Sequence, residues 1–228
     1  MTNDLVLSLD EARVLGVLIE KSMTTPEQYP LSLNALMNGC NQKSNRSPVL
    51  SMDTSDIRDA LRGLREKQLA VEIWPSGGSR TEKFRHLAQT ALGLDDRNVA
   101  VIAELLLRRA QMPGEVRARA SRMALIDSQG DLHQILDALM AKGMVVQLAP
   151  APAPGSRSER YDHSLCADAG STPEIPHELP SATPSPQESK PAIADASRAT
   201  TAKEQSEPLL VRLQALEARV KTLEERLS

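Results

Sequence analysis

The same pattern of a helix end, a strand, a turn and a second strand occurs twice in the sequence. A shift of 75 places lays Leu139, Lys142, Met144, Val146, Leu148 and Pro150 over Leu64, Lys67, Leu69, Val71, Ile73 and Pro75. With a slightly longer turn, the stretch 155–163 (GSRSERYDH) then lies over 78–86 (GSRTEKFRH). Agreement along both strands and the turn indicates an internal duplication, in which each unit forms a similar small fold.

Apolar residues at helical spacing predict three helices before each hairpin. In the first unit they are Ala12, Val14, Leu15, Leu18 and Ile19, then Leu31, Leu33, Leu36 and Met37, then Ile57, Leu61 and Leu64. In the second unit they are Val99, Ile102, Ala103, Leu105 and Leu106, then a helix opened by Pro113, then Leu132, Ile135, Leu136 and Leu139. We therefore predict a mainly α fold with small β-hairpins (α+β), built as two tandem winged-helix (helix-turn-helix) domains at 5–90 and 91–166.

The C-terminal part of the chain differs in composition from the two units. Residues 167–206 are rich in Pro, Ser, Thr, Ala and Glu and lack an apolar period, which predicts a disordered linker. Residues 207–228 carry a heptad seam of Leu209, Leu213, Leu216, Val220, Leu223 and Leu227. This seam predicts a short coiled-coil helix and a homodimer formed through it. The alternative is an amphipathic helix that packs on its own chain or on another protein.

The charge balance excludes a chain that binds nucleic acid by its overall positive charge. Net charge is −3, and residues 1–166 carry 20 Lys and Arg against 20 Asp and Glu. Any positive surface must therefore be local. Aromatic residues make up only 2 % of the chain, which argues against the binding of single strands by base stacking.

The sequence has no pattern typical of an enzyme, a cofactor-binding protein or a membrane protein. It contains no Cys, His or carboxylate cluster with metal-ligand spacing, no Gly-rich phosphate loop and no nucleophile motif, so we expect neither catalysis nor a cofactor. The repeated His86 and His163 are expected to end the hairpin strands. The absence of a secretory signal or an apolar span predicts a cytoplasmic protein, and the isolated Cys40 and Cys166 fit a reducing compartment.

The polar loop between the second and third predicted helices is the first candidate for a nucleic-acid contact. Its candidate residues are Asn41, Gln42, Lys43, Asn45 and Arg46. Amide side chains can bond to base edges, and Lys or Arg can bond to phosphates. The alternative is a connection whose polar side chains cap backbone groups.

Two further sets of basic residues are candidates. The predicted wing strands and turns carry Arg80, Lys83, Arg157 and Arg160 at repeated positions, which favours a shared contact role. Arg117 and Arg119 lie on the second unit's middle helix, near Arg108, Arg109 and Arg122. Solvated surface and pairing with a helix C-terminus are the alternatives for these arginines. By contrast, Asp53, Asp56 and Asp59 would repel phosphate at the start of the first unit's third helix, which is the usual DNA-reading element.

Several motifs resemble those of the YceH-like bacterial family. They are the stretch 40–46 (CNQKSNR), the stretch 26–31 (PEQYPL), the hairpin stretch 78–86 and Met112-Pro113-Gly114-Glu115. The resemblance covers most of residues 5–165 and leaves the tail out. It implies a tandem winged-helix fold, and it implies no catalytic residues.

Two hypotheses of function follow from the sequence, of which the first is the leading one and the second its alternative. The first is a DNA-binding or transcription-associated protein that contacts duplex DNA through the wings and the loop 41–46, with the tail favouring a dimer. The second is a protein–protein assembly module that uses the winged helices and the coiled coil without nucleic acid. The neutral charge and the acidic start of the third helix favour the second hypothesis.

Overall fold

The computed structural model of the chain describes residues 5–74, 81–149 and 159–167. Its helices are α1 (Leu9–Thr24), α2 (Leu33–Cys40), α3 (Thr54–Glu66), α4 (Ala88–Leu92), α5 (Asp96–Arg108), α6 (Pro113–Ala120) and α7 (Gln129–Ala141). Its strands are β1 (Leu31–Ser32), β2 (Ala70–Ile73), β3 (Lys83–His86), β4 (Val145–Leu148) and β5 (Arg160–His163). The predicted α+β class, helices with small antiparallel sheets, is confirmed for the described residues. The predicted coiled coil 207–228 lies outside the described residues, as does all but the first residue of the predicted linker.

The strands form two small antiparallel sheets. The first has the order β1-β3-β2, and the second is the β4-β5 pair. Leu31 of β1 pairs with Phe84 of β3. In the second half Gln111 makes an isolated antiparallel bridge to Tyr161 of β5, at the corresponding place beside the hairpin.

The order of elements in the second half follows that in the first. The shift that aligns the sequence repeat also carries α3 onto α7 and β2 onto β4, with both ends of each element coinciding. Slightly larger shifts carry β3 onto β5 and α2 onto α6, again with equal lengths. The register agrees as well, since Ala70 faces His86 in one hairpin and Val145 faces His163 in the other. The two halves thus agree in the order, the lengths and the register of these elements.

Helices α1 and α5 pack against each other at the centre of the described residues. In α1 every residue from Glu11 to Glu20 is buried, and in α5 every residue from Val99 to Arg108 is buried. A surface helix buries only one apolar stripe, so burial on all sides means that each helix is covered by its own half and by the other. The buried residues of both halves accordingly form one continuous hydrophobic core.

Capping side chains fix where the helices begin. Ser8 forms a capping box with Glu11 at the start of α1, and Asp53 accepts two backbone N–H bonds at the start of α3. One predicted boundary is wrong, because the second helix starts at Leu33 and Leu31 belongs to β1 instead. Pairing with Phe84 holds Leu31 extended, and local spacing cannot reveal that partner. Among the described helices, none is long and apolar enough to cross a bilayer.

Candidate nucleic-acid interface

Two buried arginines tie the polar loop 41–48 to α1. Arg13 donates through Nη1 to the carbonyl of Cys40 at 3.0 Å and through Nη2 to the carbonyl of Pro48 at 2.5 Å. Arg46 pairs with Glu20 at 2.6 Å and donates through Nε to the carbonyl of Gly39. Arg46, a predicted phosphate ligand, is only 5 % exposed and serves as an internal anchor in this structure.

Asn41 is also occupied within the fold. Its amide nitrogen donates to the carbonyl of Met52 at 2.7 Å, and its amide oxygen accepts from the backbone N–H of Met52 at 2.8 Å. The cap interpretation of the loop therefore describes Asn41 well, and reading a base would require both bonds to break. The exposed part of the loop is Lys43, Ser44 and Asn45, and Asn45 has a left-handed φ of 63°. Asn tolerates that conformation better than most residues, which explains its use at the loop tip.

The exposed loop forms one wall of a groove between the two halves of the chain. This groove, called the central groove below, has a volume of about 820 Å³. Its lining residues are Glu20, Lys21, Met23, Thr24, Thr25, Gln42, Lys43, Ser44, Asn45, Arg122 and Met123. Three cations line it, Lys21, Lys43 and Arg122, against a single carboxylate. That carboxylate, Glu20, pairs with Arg46 at 2.6 Å and more loosely with Lys21 at 3.8 Å, so the groove has a net positive charge to which Lys43 and Arg122 contribute most.

The second-half arginines differ in what they contact. Arg117 donates to the carbonyls of Ile126 and Asp127 at 3.4 and 3.3 Å and closes the loop after α6. Arg119 bonds to Gln111 and to Glu115 within its own half. The predicted ligands Arg117 and Arg119 therefore have internal partners.

Arg122 is exposed and reaches the central groove. Of the groove's three cations, Lys43 is a predicted ligand, Arg122 was named in the basic patch around Arg117 and Arg119, and Lys21 was not a candidate. The sequence signal for Arg122 and Lys21 was their position at a helix end. Lys21 lies in the last turn of α1, and Arg122 lies just beyond the end of α6.

The two third helices, α3 and α7, present little free positive charge. On α3, Arg58 pairs with Glu82 at 2.5 Å, Arg62 with Asp59 at 2.7 Å and Arg65 with Glu72 at 3.1 Å. Helix α7 contains neither Lys nor Arg and has acidic residues instead. A phosphate backbone would meet neutral or acidic surface on both helices.

The predicted wing residues do not line the central groove. Lys83 and Arg160 begin β3 and β5 at equivalent positions, and both are half-buried. Arg80 and Arg157 lie outside the described residues. The structure thus brings Lys43 of the predicted loop to the same groove as Arg122 of the second half, and it does not bring Lys83 or Arg160 there.

The pair of Ser22 and His86 lies close enough to suggest a catalytic dyad, but its hydrogen bonds run the wrong way. Nε2 of His86 is 2.9 Å from Oγ of Ser22, while Nδ1 of His86 accepts from the backbone N–H of Ala88 at 3.3 Å. Nδ1 is thus the acceptor, so Nε2 carries the proton and donates it to Ser22, which donates to the carbonyl of Ile19. A base for Ser22 would need an unprotonated Nε2. Burial lowers the pKa of His86 to about 4, so the imidazole is neutral near pH 7.

A second groove lies beside the first hairpin and has a different chemistry. It has a volume of about 630 Å³ and is lined partly by Leu33, Met37 and Trp74, with the Arg58–Glu82 ion pair at its side. Trp74, the chain's single tryptophan, is 60 % exposed. An exposed aromatic ring beside partly buried Leu and Met side chains around a concavity is typical of protein-binding surfaces.

These features define a class of protein: a helix-and-hairpin chain in two like-ordered halves that share one core and enclose a cationic groove. Among the described residues, no group of His, Cys, Asp and Glu is arranged to hold a metal ion. The chemistry that the groove offers is that of its three cations, which can neutralise the charge of an anionic ligand.

Comparison with known proteins assigns the family. A family model described as "Protein of unknown function, DUF480" matches residues 7–155. A UPF0502 protein of Koribacter versatilis is 48 % identical over 161 residues, which cover 71 % of this chain and 74 % of the relative. A UPF0502 protein of Aeromonas hydrophila is 39 % identical over 225 residues, which cover 97 % and 99 %. The chain therefore belongs to the UPF0502 (DUF480) family, and the predicted resemblance to a bacterial YceH-like family is confirmed.

Proposed function

We propose that each half of the described chain is a winged helix and that the protein binds duplex nucleic acid through its phosphate backbone in the central groove. The winged-helix assignment is supported by the order of helix, short strand or bridge, two helices and a hairpin in both halves. The binding proposal is carried by one observation, the convergence of Lys21, Lys43 and Arg122 from two halves on one groove.

The proposed binding mode differs from the usual one for this fold. In most winged helices the third helix enters the major groove, where Arg and Lys meet phosphates and bases. Here the basic residues of α3 are paired with carboxylates, so binding by α3 would require those pairs to break. The loop cation Lys43 has no such competitor among the described ion pairs. Because Arg13 and Arg46 anchor the loop around it, little ordering entropy is lost when Lys43 binds a phosphate.

Titration of a labelled random duplex by fluorescence anisotropy at two salt concentrations tests the proposal. We expect binding that weakens with salt, and in Lys43→Ala/Arg122→Ala we expect weaker binding and a smaller salt slope, by about one unit of log–log slope per lost contact. Absence of binding to the native protein at low salt would contradict the proposal.

A matched control separates the central groove from the third helix. Arg62→Ala/Arg65→Ala also removes two positive charges, but from exposed positions on α3. We expect this variant to bind like the native protein, because both arginines are already neutralised by neighbours. Loss of binding in the control, with retention in the groove variant, would assign the duplex to α3 and refute the groove.

A second function is favoured by the exposed groove at Trp74, namely docking of a partner protein by an assembly module. Trp74 reports on it directly, because the intrinsic tryptophan emission of this chain comes from that residue. A bound apolar partner should shift the emission to shorter wavelength as water leaves the ring. Duplex bound in the central groove should raise the anisotropy of labelled DNA and leave the emission of Trp74 unchanged.

A further inference from the structure

A small pocket beside the central groove brings together three arginines from the two halves. It has a volume of about 350 Å³, and Asn45 lines both this pocket and the central groove. Arg46 belongs to the loop of the first half, Arg108 ends α5, and Arg119 lies on α6. We call this the arginine pocket.

Arg46 is held by internal partners, but Arg108 and Arg119 have donors that are unused or only weakly used. Nη1 of Arg108 bonds to Glu104, but Nη2 has no hydrogen-bond partner within the described part of the chain. The Arg108 side chain is only 7 % exposed, so an unused guanidinium N–H there is costly. Arg119 is more accessible, with 37 % of its side chain exposed and a long contact of 3.4 Å to Glu115.

The charged side chains near the arginine pocket do not fully neutralise its arginines. Glu104 is itself buried, and burial raises its pKa, with Arg108 the strongest opposing influence. Arg119 and Arg122 are close enough to act on the same carboxylate. The pocket lining carries three arginines against one carboxylate, Glu115. With the ion-pair partners Glu20 and Glu104 counted, and with Arg122 acting on Glu104 from outside the lining, the positive charge still exceeds the negative charge.

We propose that the arginine pocket binds a phosphate group. The guanidinium groups of Arg108 and Arg119 come from two helices and, with the positive charge of the internally bonded Arg46 beside them, suit the tetrahedral oxygens of phosphate, whereas a planar carboxylate is satisfied by a single arginine fork. Glu115 beside them can accept a hydrogen bond from a hydroxyl on the phosphate or on the attached molecule. The pocket volume lies at the low end for small-ligand sites, which favours a small phosphorylated molecule or one backbone phosphate over a whole nucleotide.

This inference does not require nucleic-acid binding, because a phosphate on a small molecule provides the same chemistry.

Isothermal titration calorimetry of the full chain with inorganic phosphate, in a chloride buffer of fixed ionic strength, measures phosphate binding directly. We expect saturable binding that weakens about tenfold or more in Arg119→Gln, the usual loss for one charge-assisted hydrogen bond. Arg97→Gln is the matched control, because Arg97 is 42 % exposed on α5, forms a comparable loose ion pair with Asp131 and does not line the pocket.

Arg108 needs a different variant, because its removal alone leaves the buried Glu104 without a partner. The double variant Arg108→Gln/Glu104→Gln keeps the buried site neutral, and we expect it to remain folded and to lose phosphate binding. Unaltered phosphate binding in both Arg119→Gln and the double variant overturns the inference, as does the absence of saturable binding to the native chain.

Competition distinguishes the two sources of phosphate. If inorganic phosphate displaces a bound duplex more strongly than sodium chloride of equal ionic strength does, and Arg119→Gln abolishes the difference, the pocket holds a backbone phosphate. If phosphate binds while no duplex binds at low salt, the proposed function fails and the arginine pocket stands as a site for a small phosphorylated molecule.

Discussion

At the residue scale, the role of a polar side chain in this protein depends on partners distant in sequence. Arg46 bonds across the fold to Glu20 of α1, and their 2.6 Å contact turns a predicted ligand into an anchor. The loop motif indicates polar chemistry, but it carries no information about which of its residues faces α1. Exposure of Lys43 and burial of Arg46 are therefore properties that only the fold determines.

A single buried side chain, His86, also makes the stability of the protein depend on pH. The pKa of His86 is about 4 in the folded protein because burial disfavours the charged ring, against an ordinary value of 6.5. Between pH 6.5 and 4 the unfolded chain binds a proton at this site and the folded chain does not, so the free energy of unfolding falls as the pH falls. The loss amounts to about 3 kcal/mol across that window.

His86→Gln, which cannot titrate, should remove this part of the pH dependence. Urea unfolding at a series of pH values measures it, with native and variant compared at each pH so that titrating carboxylates cancel. Parallel curves for the two proteins would mean that His86 titrates normally in the fold.

At the scale of elements, sequence patterns predicted the longer helices and both hairpins, but missed short pieces. The third helices were visible because Ile57, Leu61 and Leu64 mark one face and Asp53 caps the start. Strand β1 and helix α4 were not predicted, since elements so short carry too little periodicity. The central groove could not be predicted either, because it exists only where α1 and α5 bring Lys43 and Arg122 together.

The crossing of α1 and α5 depends on a small residue. A Cβ on Gly16 would lie 2.9 Å from Cγ of Leu107 and 3.3 Å from Cβ of Leu106. Gly16→Val should therefore lower the free energy of unfolding by about 1–3 kcal/mol through overpacking.

Gly130→Val is the matched control, because a Cβ on Gly130 meets only Oγ of Ser128, at 3.6 Å. Val has a somewhat better helix propensity than Gly, so the effect of this control should stay within about 0.5 kcal/mol. Equal denaturation midpoints for the two variants would show that the α1–α5 contact is looser than this geometry indicates.

At the scale of the whole molecule, the tail offers the clearest test of assembly. The predicted seam from Leu209 to Leu227 lies outside the described residues, so self-association through it stays a prediction. Deletion of residues 207–228 should convert a dimer to a monomer in light scattering, because the seam supplies the apolar surface for association. A truncated chain whose mass falls only by the weight of the missing residues would refute the predicted homodimer.

The close fit of Gly16 against Leu106 and Leu107 has a consequence for how the described chain loses its structure. Helices α1 and α5 each pack against the other elements of their own half and also against the other half. If one half came apart by itself, it would expose the other's apolar surface to water, with a large free-energy penalty. The two halves should therefore melt together as one cooperative unit, despite a chain order that suggests two independent modules.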